Sequence, residues 1–216
     1  LYKGRPVGSL ADITAFSFFP TKNMTTAEGG AVVARDATLV ERARRFRSHG
    51  LVRNRDEQRY PDEGPWHQEV HEIGLNYRLP DVLSAIGLSQ IKRIQEFKAR
   101  RTAVFERYHA ELADVQGIIL PTKRDYVDPM WHLYPIRVQD GRRREVFEFM
   151  REQGVLVQVN YIPAYWHPAF EDLGYKRGMC PVAEEYYTQE ISLPMYADLS
   201  DDQQSVVIDV LRKALA

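Results

Sequence analysis

Cysteine is almost absent from this sequence: Cys180 stands alone among 216 residues. An intrachain disulfide framework is thereby excluded. The low thiol content fits a reducing compartment, which makes the cytoplasm the expected location. Long apolar runs are missing too, and none approaches the ~20 residues that a membrane-spanning helix needs. The opening Leu1-Tyr2-Lys3-Gly4-Arg5-Pro6 has no apolar segment of the signal-peptide kind. With no initiating Met, it reads as a chain entered midway. Charge of one sign is also lacking: 29 Lys and Arg face 30 Asp and Glu, for a net charge of −1. No global field therefore draws the chain to nucleic acid or to a membrane surface. Neither Gly-x-Gly-x-x-Gly nor a P-loop occurs, so nicotinamide and nucleoside-triphosphate chemistry has no support.

What is present is the composition of an ordinary globular chain, 44% hydrophobic and 27% charged. The length allows one or two domains. Basic runs at Arg44-Arg45-Phe46-Arg47, Lys98-Ala99-Arg100-Arg101 and Arg142-Arg143-Arg144 lie beside acids such as Glu41, Glu106 and Glu145. They read as solvated helix faces.

Asp12 to Phe19 is rich in β-branched and aromatic residues and predicts a short buried strand ended by Pro20. A threonine-rich loop follows. Gly29-Gly30 then launches a second strand, Ala31 to Ala34. Asp36 can cap a helix through about Ser48. Residues 49–73 mix charge, proline and three histidines without period, which predicts a long functional loop. Leu79-Pro80-Asp81 opens the longest helical pattern, continuing as one long or bent helix to about Ala113. Beyond it the pattern alternates. Strands are expected at Trp131–Val138 and Val155–Tyr161, helices at Arg142–Gln153 and Ala183–Glu190, and a last helix capped by Ser200. This is an α+β unit with an antiparallel sheet.

Phe16-Ser17-Phe18-Phe19-Pro20-Thr21-Lys22-Asn23 carries the most chemistry. A strand delivers Ser17, and a lone lysine stands five residues later in a loop. Partly apolar surroundings disfavour the charged form of a lysine and leave its amine nucleophilic, as bonding to an aldehyde requires. A serine hydroxyl nearby can donate to a phosphate.

Ser17 to Lys22 followed by Glu28-Gly29-Gly30-Ala31-Val32-Val33 resembles the cofactor-lysine segment of the DegT-type sugar aminotransferases, fold-type-I pyridoxal-phosphate enzymes. Gly74-Leu75-Asn76-Tyr77-Arg78 with Ala85-Ile86-Gly87-Leu88-Ser89-Gln90 resembles the family's second signature. Tyr161-Ile162-Pro163 and Ser192-Leu193-Pro194-Met195 resemble its C-terminal ones. Within the family, several strings look like those of transaminases making UDP-4-amino-4,6-dideoxy-N-acetyl-altrosamine, on the route to pseudaminic acid. They are Thr25 to Gly30, His167-Pro168, Gly174-Tyr175-Lys176 and Pro181 to Glu184. One departure stands out: relatives with a histidine before Tyr-Ile-Pro have Asn160 in its place here.

The resemblance implies an α/β fold. Residues 1–95 form the tail of a mostly parallel-sheet large domain, and residues 96–216 form a small α+β domain. It implies Lys22 as the cofactor-bearing lysine that then moves a proton between substrate and cofactor carbons. It implies Ser17 on the cofactor phosphate and Asn76 reaching the phosphate of a neighbouring subunit's cofactor, so that the active site lies at a homodimer interface. Arg78, Glu28 and Tyr161 are candidate substrate contacts. The substrate is a nucleotide-linked 4-keto-6-deoxy sugar, with a perosamine-type or 3-keto sugar as the alternative, and glutamate is the expected amino donor. Relatives with histidine at the lysine position dehydrate instead, so Lys22 favours amino transfer. The family's acid for the pyridine nitrogen falls before Leu1, so this chain alone is expected to be inactive. A non-catalytic structural domain is the rival reading.

His67-Gln68-Glu69-Val70-His71 spaces two histidines like a metal pair. The glutamate sits one place late for a zinc-protease motif and the setting is irregular, so no metal is expected. Trp131, Trp166, Tyr186 and Tyr187 are read as packing residues rather than base-stacking ones. Cys180 has no charged activator.

Overall fold

The computed structural model describes residues 1–216 and divides into two compact units, residues 1–94 with 125–129, and residues 95–124 with 130–216. No helix is long and apolar enough to cross a membrane.

In the first unit, β1 (Ile13–Ser17) pairs antiparallel with β2 (Gly30–Ala34), from Ile13 opposite Ala34 to Ser17 opposite Gly30. The strand expected here is present, but it is not buried: Ile13 is 51% exposed and Val32 53%. The composition marked a strand correctly, yet the two form an isolated ribbon with no third strand beside them. All the ladders in the chain are antiparallel. α1 (Ala37–Phe46) starts where expected, because Asp36 accepts from the Thr38 amide at 2.8 Å. Its basic run is solvated as read, with Arg44 and Arg45 both paired to Glu41.

Residues 49–73 hold more local structure than their composition suggested. β3 (Leu51–Val52) pairs with β4 (Glu69–Val70), and two short 3-10 turns lie between them. The expected single helix is instead two, α2 (Asp81–Lys92) and α3 (Ile94–Glu111). They are separated at Arg93, where φ −101° and ψ 3° leave the helical region. Residues 125–129 return to the first unit, where the Lys3 amide donates to the Tyr126 carbonyl at 2.8 Å.

The second unit is an antiparallel sheet of β5 (Ile118–Ile119), β6 (Tyr134–Val138) and β7 (Glu190–Leu193), in that order. Tyr134, Ile136 and Val138 of β6 point inward by strand alternation. They meet Phe105 and Tyr108 of α3, Val146 and Met150 of α4 (Arg143–Glu152), and Leu211 of α7 (Asp201–Leu215). Each such side chain contributes roughly 1.5–3 kcal/mol by burial. α7 begins in a capping box: the Gln203 amide donates to Ser200 Oγ, and the Gln203 side chain accepts from the Ser200 amide. Gly154 ends α4 at φ +81°.

Trp131 precedes β6 and stacks on Phe105 at 3.5 Å between centroids, a packing role as expected. Arg101 of α3, read from the sequence as part of a solvated face, is instead buried, because it donates through one nitrogen to the carbonyls of Trp131, His132 and Met195. The strand expected at Val155–Tyr161 reduces to an isolated bridge, Gln158 with Ser192. The Val157 amide bonds back to the Val155 carbonyl, which curls the segment away from extended pairing. The helix expected at Ala183–Glu190 is α6 (Pro181–Gln189), and it follows the short α5 (Pro168–Glu171).

Candidate active site

Lys22 stands in the connection between β1 and β2, and threonines hold that connection in shape. The Phe18 amide donates to the Gly29 carbonyl at 2.9 Å and closes the base of the loop. The Phe18 carbonyl in turn accepts from the Thr26 amide at 3.0 Å and from Thr25 Oγ1 at 3.0 Å. Thr26, 1% exposed, donates its hydroxyl to the Glu28 carbonyl at 2.8 Å. After Pro20 the chain turns, and the Lys22 amide donates to the Phe19 carbonyl at 2.9 Å. Lys22 is half-buried, while Ser17 and Glu28 are exposed. Ser17 Oγ accepts from the Phe19 amide at a long 3.4 Å, which leaves its proton free to donate. Ser17, Lys22 and Glu28 thus belong to one hairpin.

The loop rests on α2 through a glycine. A Cβ on Gly87 would lie 2.8 Å from Thr26 Cγ2 and 3.5 Å from the Met24 methyl. A Cβ on Gly29 would meet Thr26 Oγ1 at 2.5 Å. The loop approaches the helix this closely because neither position carries a side chain.

The segment carrying Asn76 and Arg78 is placed by pairing with the end of α1. The Leu75 amide donates to the Phe46 carbonyl at 2.7 Å, the Tyr77 amide to Arg47 at 2.9 Å, and the His49 amide to Leu75 at 3.0 Å. Ser48 and Asn76 form an isolated antiparallel bridge. This requires Gly50 and Gly74. A Cβ on Gly74 would lie 2.4 Å from the Gly50 nitrogen, and one on Gly50, at φ +71°, would lie 1.8 Å from the Glu72 carbonyl oxygen. Asn76 and Arg78 are both exposed.

Residues 1–212 match the DegT/DnrJ/EryC1/StrS aminotransferase family. The chain belongs to this family. It is 33% identical over 217 residues to the UDP-4-amino-4,6-dideoxy-N-acetyl-beta-L-altrosamine transaminase of a Campylobacter jejuni strain, covering 97% of this chain and 54% of that protein. Helicobacter pylori PseC, an aminotransferase of pseudoaminic acid biosynthesis, superposes with a TM-score of 0.89 at 31% identity. The match covers 100% of this chain and 56% of that one. A Streptococcus pneumoniae protein described as a candidate sugar aminotransferase, in its PLP form, gives 0.88 at 27% identity, covering 99% and 54%. The fold is therefore that of the fold-type-I sugar aminotransferases, and the chain spans about half the length of the curated relatives it matches.

DegT-family aminotransferases use pyridoxal phosphate, and the residues present here fit it. A half-buried primary amine stands on a loop whose backbone is already fixed, and an exposed hydroxyl with a free proton closes the adjoining strand. Tyr161 lies in the second unit and is 70% exposed. Its segment is held by Glu190, whose buried carboxylate accepts from the Asn160 amide at 2.6 Å and from Ser192 Oγ at 2.5 Å. Burial pushes the Glu190 carboxyl above its ordinary value, against the Ser192 and Asn160 hydrogen bonds.

Sequence reasoning missed Glu69. Its buried carboxylate accepts from His71 Nε2 at 2.5 Å, His67 Nε2 at 3.1 Å, the Arg59 amide at 2.8 Å and the Tyr60 amide at 2.7 Å. Burial pushes its pKa up. The bonds from His71, the two amides and His67 outweigh burial and hold it down at about 2. The two-histidine spacing was the available signal, and the histidines flank an acceptor.

Proposed function

We propose that this chain carries the cofactor lysine of a pyridoxal-phosphate-dependent aminotransferase acting on a nucleotide-linked 4-keto-6-deoxy sugar. The observation that carries the reading is the Lys22 loop, in which a half-buried amine is set five residues beyond the Ser17 hydroxyl. The loop's shape is fixed by Thr25, Thr26 and the close approach to Gly87. The likeness to a UDP-amino-sugar transaminase and to an aminotransferase of pseudoaminic acid biosynthesis supports the sugar class.

Pyridoxal phosphate, when bound, supplies an electron sink for the pair released at the substrate carbon. Lys22 Nζ holds the cofactor until substrate displaces it. As a free amine it then takes the proton from the substrate carbon and returns it on the cofactor side. Its half-burial keeps bulk water from competing for that proton. Ser17 Oγ donates to the cofactor phosphate, a charge-assisted bond of the stronger kind. Asn76 donates to the phosphate in a second copy of the chain, giving a cytoplasmic homodimer with the site at its interface. Arg78, Glu28 and Tyr161 contact the nucleotide sugar, and glutamate supplies the amine.

The test is borohydride reduction of the intact protein after incubation with pyridoxal phosphate, followed by peptide mass mapping. Covalent cofactor is expected on Lys22 and absent from Lys22→Ala. Label spread over surface lysines, with no preference for Lys22, would remove the reading. Product analysis over a panel of keto-sugar nucleotides separates the 4-keto substrate from a perosamine-type or 3-keto one.

A further inference from the structure

We infer that Glu184 is a positioning residue: its carboxylate fastens residues 161–179 at both ends as a strap and thereby fixes Tyr161. Glu184 lies in the first turn of α6, where the helix dipole favours an acid. Its side chain nevertheless serves residues outside the helix. Glu184 Oε1 accepts from the Tyr165 hydroxyl at 2.6 Å and from the Gly178 amide at 2.6 Å. One oxygen therefore closes the stretch of chain from Tyr165 to Gly178. The bond from Tyr165 holds the Glu184 carboxyl below its ordinary value, against the opposing effect of burial. The acceptor is thus ionised at neutral pH, and both bonds are charge-assisted. Burial, and then the Glu184 carboxylate, pushes the Tyr165 phenol up to about 12, so it stays a donor.

Little else ties the strap down. Its backbone bonds from Trp166 to Tyr175 close within it, as from the Phe170 amide to His167 at 2.9 Å and from Tyr175 to Phe170 at 3.2 Å. The Arg177 guanidinium lies 4.2 Å from the centre of the Trp166 ring, again within the strap. Residues 167–180 are exposed throughout. Beyond Glu184, the strap meets α6 where Trp166 packs edge-on against Tyr187 at 5.4 Å.

Tyr161 is spanned between two carboxylates. On one side the Asn160 amide bonds to Glu190, just beyond α6; on the other Tyr165 bonds to Glu184. The Tyr161 side chain is exposed, so the backbone on either side sets its place. With Pro163 it lines a cleft of about 660 Å³ to which α6 contributes Pro181, Val182 and Tyr186. Releasing Glu184 frees the Tyr165 end of the span while Glu190 keeps the other. The role of Tyr161 as a nucleotide-sugar contact rests on the function proposed above; the fastening rests on the strap alone.

The experiment is limited trypsin digestion of the intact protein, with cleavage after Lys176 and Arg177 followed by peptide mass mapping. Such cleavage tracks the population of the locally opened strap. Glu184→Ala is expected to speed it about tenfold and Glu184→Gln, which keeps an acceptor oxygen without the charge, about threefold. Glu185→Ala, at the exposed next position, should change it less than about twofold. An unchanged rate in Glu184→Ala overturns the inference, and so does cleavage sped equally at sites across the second unit. The second readout is steady-state kinetics with a nucleotide-linked 4-keto-6-deoxy sugar and glutamate. Glu184→Ala should raise KM for the sugar about tenfold, with kcat within about threefold and KM for glutamate unchanged, and Glu184→Gln should recover part of the loss. A sugar KM that stays put, or rises together with that for glutamate, overturns the positioning role. Borohydride labelling at Lys22 does not use the strap. Labelling with no change in strap cleavage removes this inference alone, and faster strap cleavage without labelling removes the aminotransferase reading while the fastening stands.

Discussion

Thr26 and Gly87 touch so closely that a Cβ on the glycine would lie 2.8 Å from Thr26 Cγ2. The threonine cannot swing aside without cost, because it is 1% exposed and its hydroxyl is bonded to the Glu28 carbonyl at 2.8 Å.

Gly87→Ala sets two effects against each other. Helix propensity favours alanine by about 1 kcal/mol, while overpacking a closed contact costs about 1–3 kcal/mol. The stability of the protein is expected to fall only slightly. The strain goes into the loop, so pyridoxal-phosphate labelling of Lys22 should fall several-fold. Adding Thr26→Ser removes the offending methyl and keeps the hydroxyl, and should restore labelling. Labelling rates of the single and double variants check this.

Glu69 holds the 51–71 excursion through four donors, and its pKa of about 2 lies below the unfolded value of 4.5. A depressed carboxyl stabilises the fold above the unfolded value, and the contribution disappears as pH falls toward 2. Glu69→Gln has one acceptor oxygen where the carboxylate has two. The stability gap between wild type and Glu69→Gln should be constant from pH 7 to about 5 and then narrow toward pH 2. Denaturant melts across that range measure it.

Glu190 behaves in the opposite sense. Its pKa is raised by burial, so keeping it ionised at neutral pH costs stability, and the cost is relieved as pH falls through its folded value. Glu190→Gln should flatten this slope. Glu190→Ala should destabilise at all pH values by about 1–3 kcal/mol, because the Asn160 amide and the Ser192 hydroxyl lose their acceptor. Denaturation midpoints for both variants at pH 4 and pH 7 distinguish these effects.

Arg101→Met should destabilise the second unit by on the order of 2–4 kcal/mol, because three backbone carbonyls lose one charged donor. Arg100, one residue along on the exposed side of α3, donates to a single carbonyl, that of Ala197. Arg100→Met should cost under 1 kcal/mol. Paired thermal melts of the two variants decide the point.

Local signals were legible where chemistry and geometry coincide within a few residues. Asp36 and Ser200 capped the helices they were expected to cap, and Gly154 ended α4. The hairpin around Lys22 could be read from β-branched residues followed by Pro20 and Gly29-Gly30. What failed depended on distant partners. Nothing near Arg93 announces that two helical patterns of compatible spacing separate there. Val155 to Tyr161 has the composition of a strand, yet its partner β7 meets it only at Gln158. Glu69 is a single acid in a polar stretch, and its four donors converge only once β3 and β4 have paired. Ser17, Lys22 and Glu28 share one hairpin because they are near in sequence. The placement of Asn76 and Arg78 beside the end of α1 depends on a close approach of Gly50 and Gly74 that is visible only in three dimensions.

That contact divides labour within the chain. The Gly50 and Gly74 crossing pins both ends of residues 51–73, so the length of chain between them is free to vary at little entropic cost. The excursion has the anatomy of an exchangeable cassette: its length and sequence can change while Asn76 keeps its place beside the end of α1. These two glycines are the natural splice points for chimeras that exchange the excursion and leave the sequence of the Lys22 loop untouched.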